Sequence, residues 1–280
     1  MRSSTRTFIG VLGATTALAA PAVALPGAAL AKAPLIGSGS SVAQPYLLAL
    51  FKGYKTVHSN INFLYTADGG NAGVKDVQQH SSQFAVQTRP QLPTDLHTRY
   101  IKLFLDGLCI GVNPANSLRG LSISQTRDIF TDVVTSWSLV AGSNLRTTIA
   151  PIGRNSAAGT YTFFQQAVLR GQTQASNVNP LTSDGLVATA IKNDPNAIGY
   201  VGLAHSKPGS GVKRLKLNGV ACDAAHIKSE KYPLFRYIWA VLPSKKPNTD
   251  VEKFFDWVRT SKAAGKIIAA AGAVPAFNKR

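Results

Sequence analysis

Two stretches of the sequence indicate the fold: Gly37-Ser38-Gly39-Ser40-Ser41 and Arg154-Asn155-Ser156-Ala157-Ala158-Gly159-Thr160. Each is predicted to be a loop that leads into a helix. The N-terminus of a helix exposes unpaired N–H groups and the positive end of the helix dipole, so it suits a bound anion. Glycine lets the backbone approach closely, hydroxyl groups add donors, and the Arg154 guanidinium can bind two oxygens at once. Two such loops, far apart in the sequence, indicate one anion held between two lobes.

The first 31 residues are predicted to be a cleaved export signal. Arg2 and Arg6 precede an apolar, alanine-rich stretch that runs to Leu25, and Ala29-Leu30-Ala31 forms an A-x-A cleavage pattern. A membrane anchor is the alternative, but the prolines and the short apolar core disfavour it. Because no cysteine lies near the cleavage site, we do not expect a lipid anchor. The sequence therefore predicts a periplasmic or secreted protein.

The chain is strongly basic, with 30 Lys and Arg against 13 Asp and Glu over 280 residues and a net charge of +17. Removing residues 1–31 leaves 249 residues, takes away two basic and no acidic residues, and lowers the net charge to +15. Such a charge attracts anions and anionic polymers at long range. A solvated basic surface without a partner explains the composition equally well, and so does adaptation to an acidic habitat.

The two cysteines, Cys109 and Cys222, leave two possibilities open. An oxidising compartment permits a disulfide between them, which would close a long loop and stabilise the fold by about 4 kcal/mol in the entropic model. The alternative is a pair of separate buried thiols, which behave as small hydrophobic residues. Cys109 lies in an apolar run that is typical of a core strand.

Predicted strands and helices alternate along the chain, which favours an α/β fold with mostly parallel sheets. Ser122 is predicted to cap one helix, and Thr249 or Asp250 to cap the last. A further helix is predicted at Pro45–Phe51. The predicted strands are Ile61–Tyr65, Gln83–Gln87, Leu103–Leu105, Leu108–Val112, Ile149–Gly153, Ala197–Val201 and Tyr237–Leu242. Asp106-Gly107 lies between the predicted strands Leu103–Leu105 and Leu108–Val112.

The order and spacing of several segments resemble the periplasmic phosphate-binding proteins of ABC phosphate importers. Besides the two glycine loops, these segments are Tyr65–Val74, Arg127–Phe130 with Ser136-Trp137, Ala197–Gly202, Tyr232–Leu234 with Arg236, and Phe254–Pro275. The resemblance covers nearly all of the chain after the signal. It implies an α/β, two-lobed type II periplasmic binding protein fold, with mixed sheets flanked by helices and a ligand cleft between the lobes. The implied lobes are residues 34–112 with 233–280, and residues 113–232.

The resemblance also implies a function and a set of binding residues. The lobes close on phosphate or a related oxyanion and deliver it to a membrane permease, with no cofactor, no metal and no covalent chemistry, in a protein that we expect to be a monomer. The matching positions are Ser41, Val42, Arg154, Gly159 and Thr160. Arg154 could instead pair with a structural carboxylate, and Arg236 is expected to tie its strand into the fold rather than to contact ligand.

Three positions depart from the family pattern. Gly70 and Ala158 stand where serine is usual, although the Gly70 N–H could still donate, and Thr88 stands in place of an aspartate. A buried aspartate accepts the proton of hydrogen phosphate and repels sulfate, whereas a threonine hydroxyl can donate or accept. The sequence therefore predicts an oxyanion site of altered specificity or reduced affinity. Asp68 or Arg89 could compensate.

A second hypothesis keeps the fold and abandons transport. The basic protein would then be a secreted binding or scaffold module for anionic polymer, lipid head groups or a protein partner. An enzyme is disfavoured, because the sequence has neither a G-x-S-x-G nucleophile motif nor a P-loop lysine. The five histidines and two cysteines show no metal-ligand spacing.

Overall fold

Strands and helices alternate along residues 32–275, the part of the chain that the computed structural model describes. The predicted export signal, residues 1–31, lies outside the described residues. The strands in this part are β1 Leu35–Gly39, β2 Phe63–Thr66, β3 Phe84–Gln87, β4 Thr98–Val112, β5 Gly120–Leu121, β6 Ala150–Arg154, β7 Asn179–Leu181, β8 Ala197–Gly202, β9 Lys213–Arg214, β10 Lys216–Leu217, β11 Phe235–Pro243 and β12 Val274–Pro275. The α-helices are α1 Gln44–Lys55, α2 Gly70–Gln78, α3 Ile123–Phe130, α4 Gly159–Phe164, α5 Asp184–Asn193, α6 Ala224–Lys228, α7 Thr249–Thr260 and α8 Lys262–Ala271.

One mixed sheet runs through both lobes in the order β2-β1-β3-β11-β4-β8-β6-β7. The strands of each lobe pair in parallel, β1 with β2 and β3 in the first lobe and β6 with β7 and β8 in the second. The connecting strands β4 and β11 are antiparallel to each other and to their neighbours. The α/β two-lobed fold with mixed sheets is confirmed. The expectation of mostly parallel sheets holds for the outer strands and fails for the strands that join the lobes.

Strand β4 is continuous through Asp106 and Gly107, where the sequence predicted a break between two strands. Asp106 is fully buried and pairs with Arg236 of β11, so it does not lie in a turn. A Cβ atom on Gly107 would lie 2.4 Å from Cδ1 of Ile227, so close packing explains the glycine. The predicted break was wrong because the Asp-Gly pair is here a buried charge followed by a packing position.

The predicted N-cap residue is confirmed for one helix and wrong for another. Ser122 caps α3 as predicted, in a capping box with Gln125. Helix α7 is capped by Asn248, whose Oδ1 accepts from the N–H of Asp250 at 2.9 Å, so Thr249 and Asp250 lie inside the helix. Helix α7 is also not the last, because Ser261 ends it and caps α8. Asparagine is as good an N-cap as aspartate, so α7 is capped at Asn248 and begins at Thr249.

Each lobe has its own apolar core on the faces of the sheet. In the first lobe α1, α7 and α8 bury aromatic side chains, among them Tyr46, Phe84, Phe104, Phe254 and Phe255. In the second lobe the core includes Phe130, Trp137, Phe164, Val168 and Tyr200. Within the described part of the chain, none of the helices combines the length and the apolar character needed to cross a lipid bilayer.

Cys109 and Cys222 are joined by a disulfide, with their Cα atoms 5.6 Å apart. Cys109 is completely buried in β4, and Cys222 precedes α6, which packs on the same strand. The sequence had left a disulfide and two separate thiols as alternatives. The bridge ties residues 113 positions apart and fixes α6 against the middle of the sheet.

Candidate functional site

The first predicted glycine loop is partly wrong, because Gly37, Ser38 and Gly39 are the end of β1 and only Ser40 and Ser41 lie in the connection to α1. Gly39 has φ +121°, and a Cβ atom there would lie 2.5 Å from the carbonyl oxygen of Val86, so this position requires glycine. Ser40 Oγ accepts from the N–H of Ala43 at 3.3 Å, and Ser41 Oγ lies 3.4 Å from the N–H of Asp184. Ser41 therefore lies in a turn before the helix and contacts the second lobe.

The second glycine loop joins β6 to α4. Arg154 is the last residue of β6, and α4 begins at Gly159 and continues into a π-helical turn, Gln165–Leu169. Gly159 and Thr160 occupy the first two helical positions, where an N–H group has no intrahelical acceptor. Ala158 is the N-cap and supplies no side-chain oxygen to these groups. The helix start therefore offers donors to a ligand.

Gly70 and Thr88 lie together with a residue that the sequence analysis did not single out, Gln87. Gln87 is completely buried, and its Oε1 accepts from the N–H of Thr88 at 2.7 Å. A Cβ atom on Gly70 would lie 2.2 Å from this Oε1, and one on Gly159 would lie 1.6 Å from it. A side chain at position 70 would therefore require the Gln87 carboxamide to move.

Side chains from both lobes meet where the two loops face each other. Thr88 Oγ1 lies 3.4 Å from Thr160 Oγ1, and an Arg236 guanidinium nitrogen donates to Thr160 Oγ1 at 3.1 Å. Val42 packs against Gly202, where a Cβ atom would lie 2.6 Å from its Cγ1. The structure thus brings Gly70, Thr88, Gly159 and Thr160 together around Gln87, whereas Ser41 and Arg154 both contact Asp184 and Val42 lies against Gly202. All seven residues of the sequence-predicted site are buried.

Arg154 pairs with a carboxylate, the alternative that the sequence analysis left open. Its guanidinium donates to Asp184, to the carbonyl oxygen of Leu181 at 3.1 Å and to that of Thr182 at 2.9 Å. The Arg154 and Asp184 side chains are 1% and 0% exposed. Because Asp184 also accepts from the N–H of Gly202 at 3.1 Å, the pair links β6, α5 and β8. The positive charge of Arg154 is therefore balanced within the protein.

Arg236 is balanced in the same way by Asp106. Two guanidinium nitrogens donate to Asp106 Oδ2 at 3.2 and 3.0 Å. Asp106 Oδ1 accepts from the Tyr46 hydroxyl at 3.1 Å and from the N–H of Leu203 at 3.1 Å. Burial, together with the nearby carboxylate, raises the pKa of Tyr46 well above its usual value, so Tyr46 remains a donor. Arg236 ties β11 to β4, as expected, and also contacts Thr160.

Asp68 and Arg89, the two residues considered as substitutes for the missing aspartate, have other partners. Arg89 forms a buried ion pair with Asp95, at 2.6 and 3.0 Å. Asp68 accepts from the N–H of Gly39 at 3.0 Å, and burial raises its pKa. Both residues therefore support the loops around Thr88.

The arrangement suits a small anion bound by neutral donors. The hydroxyls of Thr88 and Thr160 lie 3.4 Å apart, Gly70 and Gly159 both adjoin the Gln87 carboxamide, and each nearby arginine has its own aspartate. Among residues 32–275, no group of three or more His, Cys, Asp or Glu side chains could hold a metal ion. The site therefore has donors for an oxyanion and no ligand set for a metal.

Sequence reasoning missed the three acidic partners and two amides of this region. Asp106 offered a signal, since an aspartate inside a long apolar strand indicates a buried charge. Asp184 and Asp95 follow no local pattern that ties them to their arginines, which lie 30 and 6 positions away. Gln87 and Asn71, discussed below, are ordinary polar residues in sequence.

Comparisons with known proteins identify the family of this chain. A family model described as a PBP superfamily domain matches residues 23–262. The phosphate-binding protein PstS of Bacillus subtilis is 23% identical over 244 residues, covering 85% of this chain and 79% of that one. PstS of Pseudomonas aeruginosa is 25% identical over 299 residues, covering 96% of this chain and 92% of that one.

Solved structures show the same fold. A substrate-binding protein from Clostridium perfringens, solved with bound phosphate, superposes with a TM-score of 0.81 at 21% identity, covering 87% of this chain and 99% of that one. An ABC-type phosphate transport receptor from Vibrio cholerae superposes with a TM-score of 0.70 at 21% identity, over 86% and 99% of the two chains. The resemblance noted in the sequence is confirmed, and the chain belongs to the PBP superfamily, whose family model matches most of its length.

Proposed function

We propose that this protein is an extracytoplasmic solute-binding protein that captures phosphate or a related oxyanion between its lobes and delivers it to an ABC importer. The observation that carries the proposal is the meeting of donors from both lobes, with Thr88 Oγ1 and Thr160 Oγ1 3.4 Å apart between two helix starts. Relatives named phosphate-binding proteins, and a similar structure with bound phosphate, support the choice of ligand.

In this proposal Ser41, Thr88 and Thr160 donate hydroxyl hydrogen bonds to the oxyanion. The N–H groups of Val42, Gly70, Gly159 and Thr160 donate from the loop and from the helix starts. Arg154 ends β6 immediately before the second loop and supports that loop, while its charge is balanced by Asp184. The binding is non-covalent, and we assign no catalytic step to the protein.

The proposal includes the organisation inferred from the sequence. Residues 1–31 are the export signal, residues 34–112 with 233–280 form the first lobe, and residues 113–232 form the second. The separate cores on the two halves of the sheet support this division. Residues 32–275 also contain the disulfide, which suits a compartment outside the cytoplasm.

The test is a calorimetric titration of protein that has been unfolded and refolded to remove bound ligand. We expect saturable one-to-one binding of phosphate, weakened about tenfold to hundredfold by Thr160→Val, because a hydrogen bond to a charged ligand contributes about 1.5–3 kcal/mol. Thr160→Ser keeps the hydroxyl and should bind nearly as the parent does. Thr189→Val, on an exposed face of α5, is the matched control and should change nothing. Folded protein that gives no heat with phosphate or sulfate would contradict the proposal and favour a scaffold role.

The same titration addresses specificity. Thr88 offers a hydroxyl that can donate or accept, so we expect phosphate and sulfate to bind within about tenfold of each other. Thr88→Asp introduces a carboxylate that accepts the proton of hydrogen phosphate and repels sulfate, so the variant should weaken sulfate binding by about a hundredfold more than phosphate binding. Strong selectivity for phosphate in the unmodified protein would overturn the expectation about Thr88.

A further inference from the structure

We propose that Asn71 is a latch that holds the two lobes together when the cleft is closed. The proposal rests on the proposed function, in which the lobes open and close around an oxyanion. Asn71 is the second residue of α2, in the first lobe. Its N–H donates to the carbonyl oxygen of Ala157 at 2.9 Å, and its Nδ2 donates to the carbonyl oxygen of Ser156 at 3.0 Å and to Thr162 Oγ1 at 2.9 Å. All three acceptors belong to the second lobe.

The orientation of the Asn71 amide is set by two donors from its own lobe. Its Oδ1 accepts from Nε of Arg89 at 2.8 Å and from Nε2 of Gln87 at 3.1 Å. An arginine Nε can only donate, so the atom that faces it must be the amide oxygen. The amide nitrogen then points across the cleft. Arg89 is in turn held by Asp95, in a pair whose side chains are each 4% exposed.

The backbone beside Asn71 is shaped for close approach of the lobes. Gly69 has φ +115°, and a Cβ atom there would lie 2.4 Å from the carbonyl oxygen of Ala157, the atom that accepts from the Asn71 N–H. A residue with a side chain at position 69 could not reach this contact. Gly69 and Asn71 therefore contribute to the same interface between the lobes.

The latch lies next to the proposed donors without being one of them. Gly70 precedes Asn71 in the chain, and Gly159 follows the loop that supplies two of the three acceptors, the carbonyl oxygens of Ser156 and Ala157. An oxyanion that accepts from the N–H groups of both Gly70 and Gly159 requires the same approach of the two loops that forms the Asn71 hydrogen bonds. Asn71 should strengthen binding by stabilising the closed arrangement, which makes it a positioning residue.

A purely structural role within one lobe does not account for these contacts. Asn71 is half-buried and is absent from the apolar cores, so its loss leaves both cores intact. Each acceptor that it leaves behind becomes accessible to water when the lobes separate. The loss also removes the acceptor of Arg89 Nε and Gln87 Nε2 and so lowers the stability of the first lobe, whereas a change in closure is read from the radius of gyration.

The experiment compares Asn71→Ala with the unmodified protein by phosphate titration, by dissociation rate and by X-ray scattering with and without phosphate. We expect about tenfold weaker phosphate binding, carried mostly by faster dissociation, and a larger radius of gyration of the folded protein. Asn193→Ala, at the exposed end of α5, is the matched control and should leave all of these quantities unchanged.

Thr162→Val removes one acceptor from the other lobe and completes a double-mutant cycle. If Asn71 acts across the cleft, the double variant should bind phosphate no more than slightly weaker than Asn71→Ala alone. Additive losses, or an unchanged radius of gyration together with unchanged affinity in Asn71→Ala, would overturn the latch. If the unmodified protein binds no phosphate, the proposed function fails, and the scattering comparison of the ligand-free proteins still decides whether Asn71 holds the lobes together.

Discussion

Replacing Asp184 by asparagine is expected to lower the free energy of unfolding by about 3–5 kcal/mol, because it leaves the buried Arg154 guanidinium without its carboxylate. Asparagine has nearly the same shape and keeps an oxygen for the N–H of Gly202, which Asp184 accepts at 3.1 Å. The carbonyl oxygens of Leu181 and Thr182 still accept from Arg154. The loss therefore reports the uncompensated charge rather than a cavity.

The same substitution should strengthen anion binding. The N–H of Asp184 lies 3.4 Å from Ser41 Oγ, so the ion pair adjoins the first glycine loop. Once the carboxylate is gone, the positive charge of Arg154 is available to an anion in the cleft. We expect Asp184→Asn to bind both phosphate and sulfate about tenfold or more tightly than the parent, so that added anion recovers part of the lost stability.

Urea unfolding of Asp184→Asn with and without phosphate or sulfate checks both expectations. Asp256→Asn is the matched control, because Asp256 is exposed on α7, and its unfolding free energy should stay within about 0.5 kcal/mol of the parent. A variant as stable as the parent would show that the Arg154–Asp184 pair contributes nothing to stability. If phosphate or sulfate stabilised the variant and the parent equally, the Arg154–Asp184 pair would have no influence on anion binding.

The glycine loops could be predicted because the relevant information is local. Gly39 has φ +121°, a conformation that favours glycine, and Gly159 begins α4 after the short loop that follows β6. Each of these features follows from a few consecutive residues. The alternation of strands and helices and the helix start at the second loop were confirmed by the structure, whereas Gly37, Ser38 and Gly39 of the first predicted loop belong to β1.

The partners of the arginines could not be predicted because they come from distant parts of the chain. Arg236 meets Asp106 across 130 positions, and Asp106-Gly107 carries the local signature of a turn. The pairing depends on β4 running unbroken beside β11, which no local pattern reveals. The carboxamide of Gln87 is another example, since only the folded structure shows that it fills the space between Gly70 and Gly159.

Asp95 is expected to make the stability of the fold depend on acid. Burial raises the pKa of Asp95, but hydrogen bonds from the Arg89 guanidinium, the N–H of Leu92 and the Tyr100 hydroxyl outweigh it, so the pKa lies below the ordinary value. A carboxyl group whose pKa is lowered by folding stabilises the folded state above its unfolded pKa of about 3.9. That contribution is lost as the pH falls through the lower, folded pKa.

Asp95→Asn should therefore reduce the free energy of unfolding at pH 7 by about 3–5 kcal/mol, since it leaves the Arg89 guanidinium buried without a carboxylate. As the pH falls below about 3.9, the unfolded chain takes up the proton before the folded protein does, so the difference between the two proteins should shrink. Urea unfolding of both proteins from pH 7 down to pH 3 measures this difference directly. A difference that stays constant over the whole range would show that the ionised form of Asp95 is not what stabilises this region.

Because Arg89 also holds the amide of Asn71, a loosened Arg89 should weaken phosphate binding in the same variant at neutral pH, which would connect the buried ion pair to closure of the cleft.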